Sequence, residues 1–297
     1  MHRSRKLGKE RERKGGIEFL IVYRNHNTIR NNVVYHKHLT QEKQEAQERM
    51  QIVCICNQKG GTGKTSTAQA LGQAAKSKGK KALLIDLDPQ GNLTYITGAK
   101  AGGKSSLDLL HGTPAEQIAQ KETSGGVDII PASWKLQEEV TSKGSARRLS
   151  EALEGLNYDY VFIDTPAKAG ELQYNALQAA HRVIIPAEVD ILSLQGIYQM
   201  AATLEAFKQS NKELGEIDII FTKCPRKTSL SKQMEKTITA KAEELDIKIV
   251  GAIPEAVAFR EAQALKRSLF DYAPKSKPAA AYLEAFEAIS RKPRRKK

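Results

Sequence analysis

One glycine-rich stretch limits the folds that are open to this chain. Residues 57–66 have the sequence NQKGGTGKTS and lie between an apolar run at 52–56 and a helical pattern that begins near Thr65. A strand, a glycine-rich loop and a helix in this order are the usual setting of a phosphate-binding loop. Glycines let the backbone approach an anion, and successive N–H groups and the helix N-terminus can then face it. The stretch therefore predicts a site for a nucleoside triphosphate.

The residues of this loop have different expected roles. Lys64 supplies a positive charge near the β- and γ-phosphates, and the Thr65 hydroxyl is placed to coordinate Mg²⁺. Position 58, where the common pattern has its first glycine, is Gln58, and a second lysine, Lys59, stands at the head of the loop. Because Lys64 already supplies a positive charge to the phosphates within one subunit, the charge of Lys59 has no obvious role in that subunit. Lys59 therefore predicts a dimer, in which it would act on the other subunit. We expect the nucleotide to contact Lys59, Gly60, Gly61, Thr62, Gly63, Lys64, Thr65 and Ser66.

The rest of the chain alternates between apolar strands and amphipathic helices. Strands are predicted at 52–56, 82–86, 127–130, 160–164, 182–186, 217–221 and 247–253. Helices are predicted at 65–78, 171–180, 192–209, 230–245, 257–266 and 279–289. Strands that are apolar throughout and separated by helices predict an α/β fold, with a twisted parallel sheet covered by helices on both faces.

Three segments have weaker patterns. The region between the second strand and about residue 106 contains Gly and Ser and is predicted to be a loop. Thr113 and Glu116 have the spacing of a capping box, with Pro114 in the first turn of a short helix. A polar helical stretch at 134–156 is expected to break near Gly144.

The two ends of the chain differ from its body in charge. Of the formal net charge of +13, residues 1–49 carry +6 and residues 291–297 carry +6, which leaves +1 for residues 50–290. Such ends can attract polyanions or keep disordered tails solvated. We expect residues 1–49 to be a basic, disordered extension or no part of the functional protein, 50–290 to be the nucleotide-binding domain, and 291–297 to be a basic tail.

Cysteine content and hydropathy indicate where the protein works. The chain has three cysteines, of which Cys54 and Cys56 lie in one predicted buried strand, so they form no disulfide framework and favour a reducing compartment. No run approaches the roughly 18 apolar residues that a membrane helix needs. We expect a cytoplasmic protein without stable membrane association.

Carboxylates follow two of the predicted strands. Asp86 and Asp88 lie in the sequence DLDPQGN at 86–92, and Asp164 lies in FIDTP at 162–166. Ligands of parallel sheets bind at the carboxyl ends of the strands, so we expect these side chains near the loop. Asp164 is the candidate magnesium ligand, through a water molecule, while Asp86 and Asp88 could divide the work of positioning the attacking water. For a single Asp, a helix cap or a solvated loop is the alternative interpretation.

These three motifs, KGGTGKTS at 59–66, DLDPQGN and FIDTP, closely resemble the deviant Walker A P-loop ATPases, and within them the ParA partition proteins rather than MinD. The resemblance covers residues 50–290. It implies that Lys59 crosses the interface of an ATP-sandwich homodimer to reach the partner's phosphates. It also implies that Asp88 orients the attacking water with support from Asp86. Thr65 and Asp164 would then hold Mg²⁺.

The resemblance also implies cofactors and partners. ATP and Mg²⁺ would be the cofactors, and hydrolysis would be slow until a ParB-like adaptor stimulates it. The ATP-bound dimer would bind DNA without sequence preference, on the nucleoid, and so partition plasmid, chromosomal or mobile-element DNA.

Base and DNA contacts are less directly encoded. The sequence TKCP at 222–225 lacks the carboxylate of the Asn/Thr-Lys-x-Asp stretch that reads guanine, and the resemblance suggests that adenine lies near Pro254 and Glu255. The alternative interpretation is that Pro254 only ends a strand, as proline often does where a loop begins. Binding through DNA phosphates needs Lys and Arg on one face, and each such residue is otherwise a solvated charge. The candidates are Arg260, Lys266, Arg267, Lys275 and Lys277.

Two other functions remain open. In a MinD-like membrane-cycling ATPase, residues 279–289 and the basic tail would form an interfacial helix with Tyr282, Leu283 and Phe286 on its apolar face. An ATP-dependent kinase or ligase built on the same loop would act as a monomer on a small acceptor. No acceptor-binding motif is visible in the sequence.

Overall fold

The computed structural model describes residues 8–14, 17–23, 50–138, 147–224 and 229–291. The chain divides into two compact units, the first formed by residues 1–49 with 155–157 and the second by the remainder. In the first unit, β1 (Gly8–Lys14) and β2 (Ile17–Tyr23) pair antiparallel, with Gly8 opposite Tyr23. The expected disordered extension therefore contains two paired strands. Its other residues, like the basic tail from 292 onward, lie outside the described residues.

A parallel sheet dominates the second unit. Its order, among the described residues, is β5-β4-β6-β3-β7-β8-β9, so β3, which leads into the glycine-rich loop, lies at the centre. The prediction of seven strands is confirmed, with ends that differ by at most three residues. The strands are β3 (Gln51–Ile55), β4 (Ala82–Asp86), β5 (Asp128–Ile130), β6 (Tyr160–Asp164), β7 (Arg182–Ala187), β8 (Glu216–Cys224) and β9 (Lys248–Pro254).

Strand register brings the predicted carboxylates to the loop. Asp164 is paired with Ile55, the last residue of β3, and with Asp86, the last residue of β4. The two acids are therefore neighbours at the carboxyl edge of the sheet, immediately beside the start of the glycine-rich loop. This is the edge at which open α/β sheets bind their ligands.

Helices cover the sheet on both faces, as predicted. Contacts of α1 with β4 and β6, and of α10 with β9, cover one face, whereas α5 contacts β3 and α6 contacts β7 on the other. The helices are α1 (Lys64–Ser77), α2 (Asn92–Ile96), α3 (Ser106–Leu110), α4 (Arg148–Leu153), α5 (Glu171–Ala179), α6 (Ile191–Ser210), α7 (Ser229–Glu244), α8 (Val257–Ala264), α9 (Leu269–Tyr272) and α10 (Lys277–Ser290).

The core explains why the strands are apolar throughout. Val53, Leu84 and Phe162 are fully buried between the helical layers, and so are Cys54 and Cys56, as their place in a strand predicted. Helix α1 packs closely on this core at Gly72, where an added Cβ would lie 2.6 Å from the Leu84 side chain. A larger residue at position 72 would push the helix that follows the loop away from the sheet.

Two local predictions are wrong, and a third falls partly outside the described residues. The segment between β4 and about residue 106 is not an uninterrupted loop, because α2 lies within it, whereas α3 begins where the predicted loop ends. The capping interaction occurs at Ser105, whose backbone N–H donates to the Asp108 carboxylate at 2.8 Å, rather than at Thr113. A 3₁₀ turn follows Pro114 without a side-chain cap. The stretch 134–156 contains a 3₁₀ turn at Trp134–Gln137 and helix α4, and Gly144 lies outside the described residues.

Helix α10 shows why the membrane-binding interpretation is wrong for this segment. Tyr282 and Phe286, two of the residues assigned to its lipid-facing surface, are each 2% exposed and belong to the main core. The apolar face of the helix is therefore used within the fold, against β9 and α1. In the part of the chain that the structure describes, no helix has the length and apolar character needed to span a bilayer.

Candidate nucleotide-binding site

The glycine-rich loop has the backbone that its sequence predicts. Gly61 and Gly63 have φ values of +75° and +87°, in the left-handed region that side chains other than glycine rarely adopt. Gly63 is the N-cap of α1, so the helix begins at Lys64 and its N-terminus points into the loop. The first N–H groups of a helix lack intrahelical partners and carry partial positive charge. The loop therefore offers an anion site.

Lys64 is held inside this loop. Its side chain is largely buried, and its Nζ donates to the Lys59 carbonyl oxygen at 3.2 Å. Burial lowers the pKa of Lys64, and the negative charges of Asp164 and Asp88 oppose that shift. The Lys64 ammonium, which is predicted to contact the β- and γ-phosphates, therefore lies inside the loop and is hydrogen-bonded to the loop backbone.

Asp86 is a buried carboxylate with a full set of donors. Its oxygens accept the backbone N–H of Thr94 at 2.8 Å, the Thr94 hydroxyl at 2.7 Å and the N–H of Asp88 at 3.1 Å. Burial nevertheless raises the pKa of Asp86 to about 6, against the effect of these bonds. Asp86 thus holds α2 and the Asp88 turn in place.

Asp88 follows on a turn whose shape the chain specifies locally. Its carboxylate accepts the N–H of Gln90 at 3.0 Å, and Gly91, with φ +65°, allows α2 to start directly afterwards. Asp88 is half-buried, whereas Asp86 is fully buried. Of the two carboxylates of the DLDPQGN motif, Asp88 is therefore the one that can reach a solvent molecule.

Asp164 has the character of a cation ligand. It is fully buried, and among the described residues neither of its oxygens has a hydrogen-bond partner. Burial and the nearby charge of Asp86 raise the pKa of Asp164 well above its usual value, while the Lys64 charge and the Thr65 hydroxyl, which lies nearby without forming a hydrogen bond of accepted geometry, oppose the shift. Orphaned buried carboxylate oxygens are costly unless a partner is provided. A hard cation between Asp164 and Thr65 would provide one.

Lys59 has a partner within its own subunit, contrary to the expectation from the sequence. Its Nζ lies 2.9 Å from Oδ2 of Asp190, the N-cap of α6, whose other carboxylate oxygen accepts the N–H of Ser193 at 2.8 Å. Burial alone would raise the pKa of Asp190, but the hydrogen bonds from Lys59 and Ser193 and the Lys59 charge together outweigh burial and leave that pKa below its usual value. The side chains of Lys59 and Asp190 are 30% and 37% exposed, so the pair lies at the rim of the site.

Comparison with known proteins decides the family. A family model described as an AAA domain matches residues 50–217, more than half of the chain. The chromosome partitioning protein ParA of Caulobacter vibrioides is 36% identical over 256 residues, a match that covers 82% of this chain and 95% of that protein. The chain belongs to the ParA family of partition ATPases. The resemblance of the three motifs is thereby confirmed, and the protein is an ATPase.

Two further matches support the family and the fold. The chromosome-partitioning ATPase Soj of Thermus thermophilus is 34% identical over 243 residues, covering 81% of this chain and 96% of that protein. A structure of cobyrinic acid a,c-diamide synthase from Mycobacterium smegmatis, with bound ADP and magnesium, has a TM-score of 0.69 and 28% identity. That match covers 81% of this chain and 94% of the synthase chain. The ParA-family chain thus has the α/β P-loop fold that the motifs predicted.

The two residues predicted near the base line a cavity. Pro254 and Glu255 lie at the end of β9, beside a cavity of about 910 Å³ that Cys224, at the end of β8, also lines. Arg260 and Lys277, predicted to contact DNA, line the same cavity. The structure therefore separates these two cations from the rest of the predicted DNA-binding set.

The other three candidates for DNA contact are exposed and lie between α8 and α10. The Lys266 ammonium nitrogen lies 4.7 Å from the centre of the Tyr95 ring, and the central carbon of the Arg267 guanidinium lies 5.6 Å from the centre of the Tyr272 ring. Lys275 is exposed just before α10. Because Lys266 and Arg267 are exposed, their charges are accessible to an anionic partner even though each cation also contacts a ring.

Sequence reasoning missed two residues that shape the site. Thr94 ties Asp86 to α2 and to the N–H of Ala132, and Asp190 holds Lys59. Asp190 had a detectable signal, since an Asp directly before an apolar-periodic segment is a preferred N-cap. Thr94 had none, because the helix that carries it was predicted to be a loop and one of its partners, Ala132, lies 38 residues away in the chain.

Proposed function

We propose that this ParA-family ATPase forms an ATP-dependent sandwich dimer that binds DNA without sequence preference and partitions plasmid, chromosomal or mobile-element DNA. A ParB-like adaptor stimulates hydrolysis and so releases the DNA. The observation that carries the proposal is the position of Lys59, which is partly exposed on the rim of the loop, while Lys64 occupies the interior. A second lysine on the rim can leave Asp190 and reach the phosphates of a facing subunit.

The ATPase chemistry is assigned to the residues that meet beside the loop. Residues 59–66 bind the phosphates, and Asp88 orients the attacking water while Asp86 holds the turn of Asp88. Thr65 and Asp164 hold Mg²⁺, for which the two orphaned oxygens of Asp164 are suited. Bound there, Mg²⁺ supplies charge stabilisation to the phosphates during in-line hydrolysis.

The cavity beside β9 is the proposed base site. Pro254 and Cys224 contribute walls from the ends of two adjacent strands, at the carboxyl edge where nucleotides of parallel sheets bind. Arg260 and Lys277 also line this cavity and could contribute to either nucleotide or DNA. Lys266, Arg267 and Lys275 are the clearer candidates for DNA phosphates.

The proposal is tested by DNA binding measured with and without ATP. Wild-type protein with ATP and Mg²⁺ should bind duplexes of unrelated sequence, and both Lys59→Ala and Lys64→Ala should abolish that binding. Lys59→Ala should still bind ADP as a monomer, because Lys64 and the loop remain. DNA binding of equal strength in both variants and without nucleotide would refute the proposal.

The dimer itself is tested by size-exclusion chromatography of Asp88→Ala. This variant retains the loop and loses the residue proposed to orient water, so ATP should trap it as a dimer. ADP should leave it monomeric. A monomer that demonstrably contains bound ATP would exclude the sandwich arrangement.

A further inference from the structure

The end of β8 contacts the glycine-rich loop through two consecutive residues. The Thr222 hydroxyl donates to the Thr62 carbonyl oxygen at 2.8 Å, and Lys223 Nζ donates to the Gly61 carbonyl oxygen at 2.7 Å. Two successive carbonyl groups of the loop are therefore bound by two successive side chains from a strand that lies two positions away from β3 in the sheet.

Both residues have further features that fix their positions. Thr222 is 4% exposed, and its methyl carbon lies 3.4 Å from the position of a Cβ built on Gly63, so it packs directly against the loop. Lys223 has φ +49°, which a residue other than glycine rarely adopts. Its ammonium also pairs with Glu188 at 2.8 Å, on the segment that follows β7. Thus β8 and the end of β7 together hold the ammonium over the loop.

The contacts determine which way the loop's N–H groups point. In a planar trans peptide, the C=O of one residue and the N–H of the next point in opposite directions. Because the Gly61 and Thr62 carbonyls point toward β8, the N–H groups of Thr62 and Gly63 point away from it. Backbone N–H groups of such a loop form the anion cradle.

We infer that Thr222 and Lys223 are positioning residues, which orient the Thr62 and Gly63 N–H groups for the nucleotide phosphates by binding the carbonyls on the opposite side of the loop. The inference rests on nucleotide binding at this loop and is independent of the proposed dimer and of DNA. From the sequence alone, Thr222 and Lys223 indicated only that the bound base is not guanine.

The test is calorimetric titration of the full-length protein with Mg-ADP, which probes the loop without requiring a dimer. Lys223→Met keeps the aliphatic stem but removes the donor, and Thr222→Val keeps the shape but removes the hydroxyl. Each should raise the Kd for ADP about ten-fold, equivalent to roughly 1.4 kcal/mol. Thr222→Ser, which restores the hydroxyl, should return the Kd to within about two-fold of wild type.

Lys248→Met is the matched control. It removes another exposed Lys–Glu pair, with Glu216 at 3.0 Å, from the amino end of the adjacent strand β9. Its Kd for ADP should equal that of wild type. Melting of each variant without nucleotide reports on folding, and Lys223→Met, at an exposed position, tests the inference even if Thr222→Val fails to fold.

Two results would overturn the inference. One is an unchanged Kd for ADP in folded Lys223→Met. The other is a rise in Kd that Lys248→Met shows as well or that Thr222→Ser fails to rescue, since that would indicate general destabilisation. Wild-type protein that binds ADP but shows no ATP-dependent DNA binding would count against the proposed function and not against this inference.

Discussion

Lys59 and Asp190 form an ion pair across the rim of the nucleotide site, with Nζ 2.9 Å from Oδ2. Asp190 is also the N-cap of α6, so the same carboxylate that holds the lysine fixes the start of a long helix. If Lys59 serves a facing subunit, it must first leave this partner. In the proposed dimer, the pair would therefore oppose dimerisation.

The first prediction concerns this pair. Asp190→Asn should lower the ATP concentration at which half of the protein is dimeric by about two- to five-fold, the effect of an ion pair worth about 0.5–1 kcal/mol. Asn is as good an N-cap as Asp, so α6 should be unaffected. Light scattering across an ATP titration measures the midpoint.

The matched control for Asp190→Asn is Glu205→Gln, which removes the acid of an exposed pair with Lys208 on the same helix. Its midpoint should equal that of wild type. An Asp190→Asn midpoint at or above the wild-type value would show that the pair does not restrain Lys59.

The second prediction concerns Asp164. Because burial raises its pKa in the folded state, ionising it costs folding free energy at neutral pH. Asp164→Asn should therefore make the nucleotide-free protein more stable than wild type at pH 7. The free energy of unfolding of the wild type should increase as the pH falls toward the pKa of Asp164 in the unfolded state, because Asp164 then becomes protonated in the folded protein. The difference in stability between Asp164→Asn and wild type should therefore become smaller at lower pH. Urea denaturation at several pH values measures it.

A magnesium titration completes the Asp164 experiment. In the wild type, Mg²⁺ added to ATP should raise the melting temperature beyond the effect of ATP without the metal, since binding to the native state stabilises it. Asp164→Asn should lose that increment. Equal increments in the two proteins would place the metal elsewhere.

The third prediction concerns Thr94, whose buried hydroxyl donates to Asp86 and accepts the N–H of Ala132. Thr94→Val should destabilise the protein by about 1–3 kcal/mol, because it leaves a buried N–H without a partner. ATP turnover should fall as well, since Asp86 supports the Asp88 turn. Thr94→Ser should retain most of both. A Val variant as stable as wild type would contradict this account.

The fourth prediction separates the basic residues by function. Lys266→Ala and Arg267→Ala should each reduce the slope of log affinity for DNA against log salt by about 0.9, the effect of one lost phosphate contact. Their Kd for ADP should not change. Arg260→Ala, at the cavity, should raise the Kd for ADP. Identical salt slopes in Lys266→Ala and wild type would remove that residue from the DNA surface.

Much of the fold was predictable because its signals are local. A buried parallel strand needs an unbroken apolar run, so segments such as Tyr160–Asp164 stand out from the polar helices around them. Short elements escaped prediction for the converse reason. Helix α2 has five residues, too few for a periodic pattern, and it is stabilised by the bonds of Thr94 to Asp86 rather than by its own propensity.

The candidate site was predictable only in part, because a motif specifies residues and not their partners. Asp86 and Asp164 were expected near the loop, and register places them side by side. The basic residues near β9 were grouped by type, but Arg260 lines the cavity whereas Lys266 stacks on Tyr95. Arg260 and Lys266 are both positively charged and exposed, so the sequence offered no basis for assigning them to different sites.

The sequence by itself determined the glycine-rich loop, since Gly61 and Gly63 adopt φ values that their missing side chains allow and Lys64 follows them directly in the chain. Tertiary structure decided what holds that loop. Asp190, Thr222 and Lys223 lie more than a hundred residues beyond it, and packing of β7 and β8 beside β3 is what brings them within hydrogen-bond distance. Hydrogen bonds act over about 3 Å in space whatever the separation along the chain, so only the folded sheet could reveal these partners.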